Sequence, residues 1–387
     1  MLELRVTGLE CAKSEVYFRL TLNVTTRRSL GVISALFLGL LNVGCSIKPQ
    51  LFGQQEAGPD LLKFRPSGSV TEWFAYHEGA LKPGYPDRRE EILQGDPSRG
   101  IGLKQAASMG GGEAPIPPPE QFRVFLFMGQ SNMAGFAKAG KLDKTMREPH
   151  PRIRIWAKGK WQYLSPKRNF GPEVTFAHIM AKNFPTDTIG IIKVAVSGTG
   201  MNAWKPDWEW AEANKTGDAL KGSLYRDMVN AVAAAREVSD FSLDSFIWKQ
   251  GGRDGRKPEL ATSYQDRFVE MVDHLRIDLA VPELPVFVLT YFDEAGIEEH
   301  RKILEKVRPN ALPLYLSKAR VSSYLDNAYP VFHGKLPTKI DQVHFDTRGQ
   351  VMLGEMTAGA VTEYFNTVEP KQAEDKKGEY IEPPLPK

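Results

Sequence analysis

The sequence predicts an α/β protein: a parallel sheet covered by helices on both faces, a three-layer α/β/α sandwich. Three observations carry this. Apolar runs of strand length recur at 122–128, 188–196, 245–248 and 285–290, and continuous rather than alternating hydrophobicity marks strands buried on both faces. Helical spacing fills 172–183, 220–237 and 263–279 between them, and strand–helix alternation makes successive strands parallel. Polar or Gly-rich turns follow the first three runs directly, where open α/β sheets place their ligands.

The first run, ending Phe127-Met128-Gly129, is followed at once by Gln130-Ser131-Asn132-Met133. Gly129 permits a tight turn, so Gln130, Ser131 and Asn132 emerge at the carboxyl end of the strand. A serine on a strand-to-helix turn can present its hydroxyl to a substrate while its own N–H serves as an oxyanion donor. Ser131 can equally be a helix cap. Residues 152–156 alternate as a half-buried strand. Phe170-Gly171-Pro172-Glu173 opens a helix with Pro172 at an early position and Glu173 at its N-terminus. Ser197-Gly198-Thr199-Gly200 follows the second run; it either reverses the chain or aims a backbone N–H into a site, and it lacks the Lys of a phosphate loop. Lys249-Gln250-Gly251-Gly252-Arg253-Asp254 follows the third run, and Arg253 with Asp254 reads as polar contacts or a surface pair.

Near the end stands Asp341-Gln342-Val343-His344, just before a helix predicted over 346–365, with Thr347 and Gln350 as a capping pair. Asp and His three apart on a loop can fold so that the carboxylate holds one imidazole nitrogen and the other faces outward as a general base. That makes Asp341 the better acid, with Asp346 a weaker candidate.

Composition narrows the rest. The chain has 387 residues, 42% hydrophobic, enough for one large domain or two small ones. A formal net charge of +3 gives no reason to expect a nucleic-acid partner. Cys11 and Cys45 both lie upstream of the motifs, so the body has no disulfide framework, and no histidine spacing suggests a metal site. No cofactor or metal is expected.

The amino-terminal part differs from the body. Arg27 and Arg28 precede an apolar run at 29–41, followed by Asn42-Val43-Gly44-Cys45. The run has the length of an export signal and is short for a membrane span of about 20 residues; a short buried helix is the other reading. Small residues before Cys45 resemble a lipoprotein processing site, although Asn42 stands where an aliphatic residue is usual. Residues 1–45 are therefore read as a signal or anchor segment with membrane anchoring through Cys45, and the product as periplasmic, cell-surface or secreted. Residues 1–26 are long and acidic for a leader, so translation is expected to start downstream. Residues 46–120 are irregular and Gly/Pro-rich, 109–119 reading as a linker; 121–368 form the body and 369–387 a polar tail.

Gly129-Gln130-Ser131-Asn132-Met133, the terminal Asp341-x-x-His344 and the blocks between them resemble the sialate O-acetylesterase group, carbohydrate esterase family 6, within the SGNH hydrolases. The resemblance covers roughly 121–365. It implies a flavodoxin-like sheet and a serine esterase that removes O-acetyl groups from carbohydrate. It implies Ser131 as nucleophile, His344 as base, Asp341 as its partner, and Ser131, Gly198 and Gln250 as oxyanion donors. Gln130, Asn132, Glu173 and Arg253 become substrate contacts, Glu173 having a structural alternative at its helix N-terminus. The chain departs at Gly252, where the family usually has Glu. The alternatives are a weak or inactive carbohydrate-binding protein on the same fold, or an esterase of another ester such as acetylated xylan.

Overall fold

The computed structural model describes residues 101–368 and, apart from them, strands β1 (Glu10–Ala12) and β2 (Glu15–Tyr17). The chain divides into two units, 1–59 and 60–387; in the first, β1 and β2 pair antiparallel. The segment 27–45, Cys45 and the tail 369–387 lie outside the described residues.

In the second unit eight strands form one sheet, in the order β12-β11-β10-β4-β9-β6-β7-β3. These are β3 (Gly110–Glu113), β4 (Phe122–Gly129), β6 (Ile153–Ala157), β7 (Lys160–Leu164), β9 (Thr188–Ala195), β10 (Ser242–Lys249), β11 (Val286–Thr290) and β12 (Ala328–Phe332). Five of them, in the order β9-β4-β10-β11-β12, pair parallel throughout, which is the flavodoxin-like arrangement. β6 adds parallel beyond β9, and β7 and β3 extend that edge antiparallel. A separate small sheet pairs β5 (Ala137–Lys138) with β8 (Asn169–Phe170).

The first strand shows why both faces are covered. On β4, Val124, Leu126 and Met128 point to one side and Phe125 and Phe127 to the other, all fully buried. Helices α3 (Leu224–Val238) and α4 (Tyr264–Asp278) close the first face through Met228, Val232, Phe268 and Met271. Helices α2 (Glu173–Asn183) and α6 (Thr347–Val368) close the second through Phe176, Met180, Leu353 and Val361. Each such side chain contributes roughly 1.5–3 kcal/mol by leaving water. Arg123, the polar member of β4, lies at the amino end of the sheet, where it bonds Asp187 and Asp244 and lies over Phe184 and Phe365. The carboxyl end of β4 is thus left for chemistry. It sits between β9 and β10, where the sheet order turns back on itself and a crevice opens.

Two expectations need correction. Residues 109–119 are not simply a linker: Gly110–Glu113 is β3, paired with β7, and Met109 is fully buried. Glycine carries no apolar signal, so only the pairing reveals this strand. The strand at 153–157 is buried on both faces rather than half-buried, because the Arg154 guanidinium is satisfied by the carbonyls of Pro115 and Pro151. No element is predicted at 328–332; β12 is the edge strand, where the proline it carries, Pro330, is tolerated.

Candidate active site

Ser131 opens the one-turn helix α1 (Ser131–Ala134) directly after β4. The turn is set by close backbone approach. A Cβ on Gly129 would meet the Lys249 carbonyl oxygen at 2.1 Å, and Gly129 has φ +146. In that space the Gln130 N–H donates to the same carbonyl, 3.0 Å away, while Val196 N–H donates to Gly129 O. The three strand ends β4, β9 and β10 are therefore tied at the point where Ser131 emerges. The Ser131 N–H, first in its helix, forms no hydrogen bond among the described residues.

Asp341 and His344 form the expected pair. His344 Nδ1–H donates to Asp341 Oδ2 at 2.8 Å, which leaves Nε2 as the acceptor. The other carboxylate oxygen accepts the N–H groups of Val343 and His344, at 3.0 and 2.9 Å. These backbone bonds, followed by the imidazole, hold the Asp341 carboxyl well below the usual carboxylate range. The loop needs a left-handed residue at Gln342, φ +55. Phe136 packs on the His344 ring with centroids 4.8 Å apart.

Asn132 joins the two halves of the site. Its Nδ2 donates to Val343 O and its Oδ1 accepts from Phe345 N–H, both at 3.0 Å, so one amide grips the chain on either side of His344. Gln350, from the first turn of α6, donates to Asn132 O. The residue after Ser131 thereby positions the loop that carries His344. Ser131 Oγ has no hydrogen-bond partner among the described residues.

The other expected contacts fall differently. Gly198, φ +70, is exposed at the tip of its turn with an N–H free of hydrogen bonds among the described residues. Gln250 is not placed as a donor to substrate: its Nε2 donates to Thr199 O at 2.8 Å and to Asp254 Oδ2 at 2.7 Å, which commits both amide hydrogens. Asp254 is the reason. It is fully buried rather than a surface partner of Arg253, accepts from Met201 N–H and pairs with Arg267. Burial pushes the Asp254 carboxyl above its usual value, against the pull of Arg267 and Gln250. Asp218, also buried, accepts from Gly200 N–H and pairs with Lys221. Two carboxylates thus hold the Gly198 turn from below, and nothing in their sequence spacing announced it. Arg253 donates twice to Thr216 O.

Glu173 is a second correction. It is fully buried and paired with the equally buried Lys193 at 2.7 Å, so it is not at the rim. Its Oε1 accepts from Gly171 N–H, and Lys193 also donates to Ala134 O. The pair braces the end of α1. Gln130 lines the cavity beside Ser131 with its Oε1 buried and unpartnered. That cavity, of about 90 Å³, is also lined by Lys249, Lys318, Tyr291 and Arg308, none of which the sequence had suggested.

Residues 121–363 match the family model described as carbohydrate esterase, sialic acid-specific acetylesterase. A probable carbohydrate esterase of Arabidopsis thaliana is 27% identical over 278 residues, covering 65% of this chain and 94% of its own length. A solved structure of an Arabidopsis thaliana protein matches with TM-score 0.50 and 23% identity, over 64% of this chain and all of its own. A carbohydrate acetylesterase from Xanthomonas citri matches with TM-score 0.46 and 18% identity, over 62% of this chain and 56% of its own. The chain belongs to the sialic acid-specific acetylesterase family of carbohydrate esterases and is a hydrolase of ester bonds that deacetylates carbohydrates.

Proposed function

We propose that this protein removes O-acetyl groups from a sugar through a Ser131–His344–Asp341 triad and an acetyl-enzyme. The observation that carries the reading is the His344–Asp341 pair at 2.8 Å, on a loop gripped by the residue that follows Ser131. Ser131 Oγ attacks the acetyl carbonyl while His344 Nε2 takes its proton. His344 then returns that proton to the sugar oxygen as the ester bond breaks. Water attacks the acetyl-serine, again giving a proton to His344, and acetate and free Ser131 are regenerated. Asp341 stays ionised, fixes the tautomer and stabilises the imidazolium. The free N–H groups of Ser131 and Gly198 are the oxyanion donors this reading uses, and Gln250 supports the Gly198 turn rather than the oxyanion.

Acetate release from an acetylated glycoside tests this. Ser131→Ala and His344→Ala should each lower kcat by a factor on the order of 10³ or more, with folding intact by thermal unfolding. Release at the wild-type rate from either variant contradicts the assignment. The pattern at 27–45 supports export of the protein, with Cys45 as a lipid attachment point; recovery of a cell-associated product with an unmodified amino-terminal leader would contradict this.

A further inference from the structure

Lys249, the last residue of β10, is buried and has no carboxylate partner among the described residues. A buried ammonium without a counter-ion is costly, and such a group answers by giving up its proton. The surroundings are those of a neutral amine. Lys249 Nζ lies 2.6 Å from His333 Nε2. His333 Nδ1 lies 2.7 Å from Gly334 O, which can only accept, so Nδ1 carries the ring hydrogen and Nε2 accepts from Lys249. The rings of Tyr291 and Phe345 stand 5.0 and 5.4 Å from the same nitrogen. Burial, followed by the charge of Lys318, holds the Lys249 ammonium well below its ordinary value. Burial likewise holds the His333 imidazole well below its ordinary value. A desolvated lysine beside a second cation is the arrangement that makes an amine nucleophilic at neutral pH. Ester hydrolysis by Ser131, His344 and Asp341 makes no use of it.

This amine opens on the cavity of about 90 Å³ that Ser131 also lines, room for only a few water molecules. The same walls carry a proton donor and two vacant acceptors. Lys318 Nζ gives one hydrogen to Gln250 O at 2.6 Å and has two more. Gln130 and Gln250 each hold a buried Oε1 without a hydrogen-bond partner among the described residues, and both line the cavity. A ligand matched to these groups has an electrophilic carbon for Lys249 and an oxygen on that carbon for Lys318. It also has a neighbouring hydroxyl to donate to a glutamine oxygen. The smallest such unit is an α-hydroxyaldehyde, the group at the open-chain end of an aldose.

We propose that Lys249 is a carbonyl-trapping site, at which the side-chain amine forms a reversible imine with a short α-hydroxyaldehyde. Nζ attacks the carbonyl carbon, the carbonyl oxygen takes a proton from Lys318, and Nζ passes a proton to His333 Nε2. His333 returns that proton to the new hydroxyl, which leaves as water while the C=N bond forms. The proton remaining on nitrogen goes back to Lys318. The net change is amine plus aldehyde to imine plus water, with no oxidant or reductant. The site goes beyond ester hydrolysis and does not depend on it.

The test exposes the full-length protein at pH 7 to glycolaldehyde and sodium cyanoborohydride, which reduces the imine to a stable hydroxyethyl amine. Proteolysis and mass measurement then locate the label. An exposed lysine is only about 0.04% neutral at pH 7, so Lys249 should label about tenfold or more faster than any other lysine. Acetaldehyde lacks the hydroxyl. With each rate referred to that of Nα-acetyl-lysine in the same solution, it should label Lys249 several-fold more slowly, by about one hydrogen bond. His333→Phe keeps a flat ring without the acceptor and should slow labelling by about tenfold or more. Ser131→Ala should label as wild type does, so a failed esterase reading leaves this outcome unchanged. Label spread over exposed lysines with Lys249 unmodified overturns the proposal, and that result needs no variant to fold. Equal relative rates for the two aldehydes, or labelling that requires Ser131, overturns it as well.

Discussion

Asn132→Ala is the most informative single change in this fold, because it loosens His344 without touching it. The variant removes the acceptor of Phe345 N–H and the donor to Val343 O, each a 3.0 Å bond. Phe345 is buried, so its N–H is left without a partner, a loss of about 1–3 kcal/mol. Val343 is 45% exposed, so its carbonyl regains water and the second loss is about 0.5–1 kcal/mol. The bond from Gln350 goes to the Asn132 backbone and survives. The sum is about 1.5–4 kcal/mol of unfolding free energy, small enough to leave a folded protein to assay. The catalytic effect is larger in proportion, since a displacement of about 1 Å in a catalytic group is worth about a hundredfold in rate. Steady-state hydrolysis should show kcat down by about that factor and KM changed by less than about threefold. A kcat within about threefold of wild type in a folded variant would refute the positioning argument.

Four further outcomes follow from the same geometry. Gln250→Ala should lower stability by about 1–3 kcal/mol by leaving the buried Thr199 O without its donor and Asp254 with only Met201 N–H and Arg267, with kcat falling by less than about tenfold; a loss of about a hundredfold or more, the size of a missing oxyanion donor, would show the amide acting on the transition state. Lys193→Met should cost about 3–5 kcal/mol, since it strands a buried Glu173, and adding Glu173→Leu should restore part of it; equal loss in single and double variants by chemical denaturation would contradict this. Gly129→Ala should yield little folded protein, because its Cβ would overlap the Lys249 carbonyl; a soluble variant with normal unfolding would show that the turn relaxes. Burial pushes the Lys318 ammonium down to about 8 from 10.5, with Asp254 opposing. The unfolded chain therefore binds more protons between these values, and stability should rise with pH across that window by up to about 1.4 kcal/mol per pH unit. Lys318→Met should flatten the rise, and an unchanged slope in urea titrations would assign it to another group.

Much of this architecture is legible from the chain because it depends on local pattern. Continuous apolar runs mark the central strands, and Gly129 and the Asp341–His344 spacing mark the site, since each concerns residues within a few positions of one another. What escapes the sequence depends on distant groups meeting. β3 is Gly-rich and becomes a strand only by pairing with β7. Asp254 reads as a surface acid until Met201, Gln250 and Arg267 surround it. The cavity beside Ser131 draws Lys249, Arg308 and Lys318 from the end of β10 and from the region of helix α5 (Leu312–Ala319), and no single stretch shows that they converge. Gln250 illustrates the opposite risk: a residue carried over by resemblance, whose hydrogens are committed elsewhere.

The central claim is that Ser131 carries the acetyl group during turnover, with His344 as its base. It is tested most directly by intact-protein mass measurement after rapid mixing with 4-nitrophenyl acetate, followed by proteolytic mapping. The account predicts a transient gain of one acetyl group in wild type, located on Ser131, matched by a burst of 4-nitrophenol and absent from Ser131→Ala and His344→Ala. An acetyl group on another residue, or hydrolysis that continues unchanged in Ser131→Ala, would contradict it.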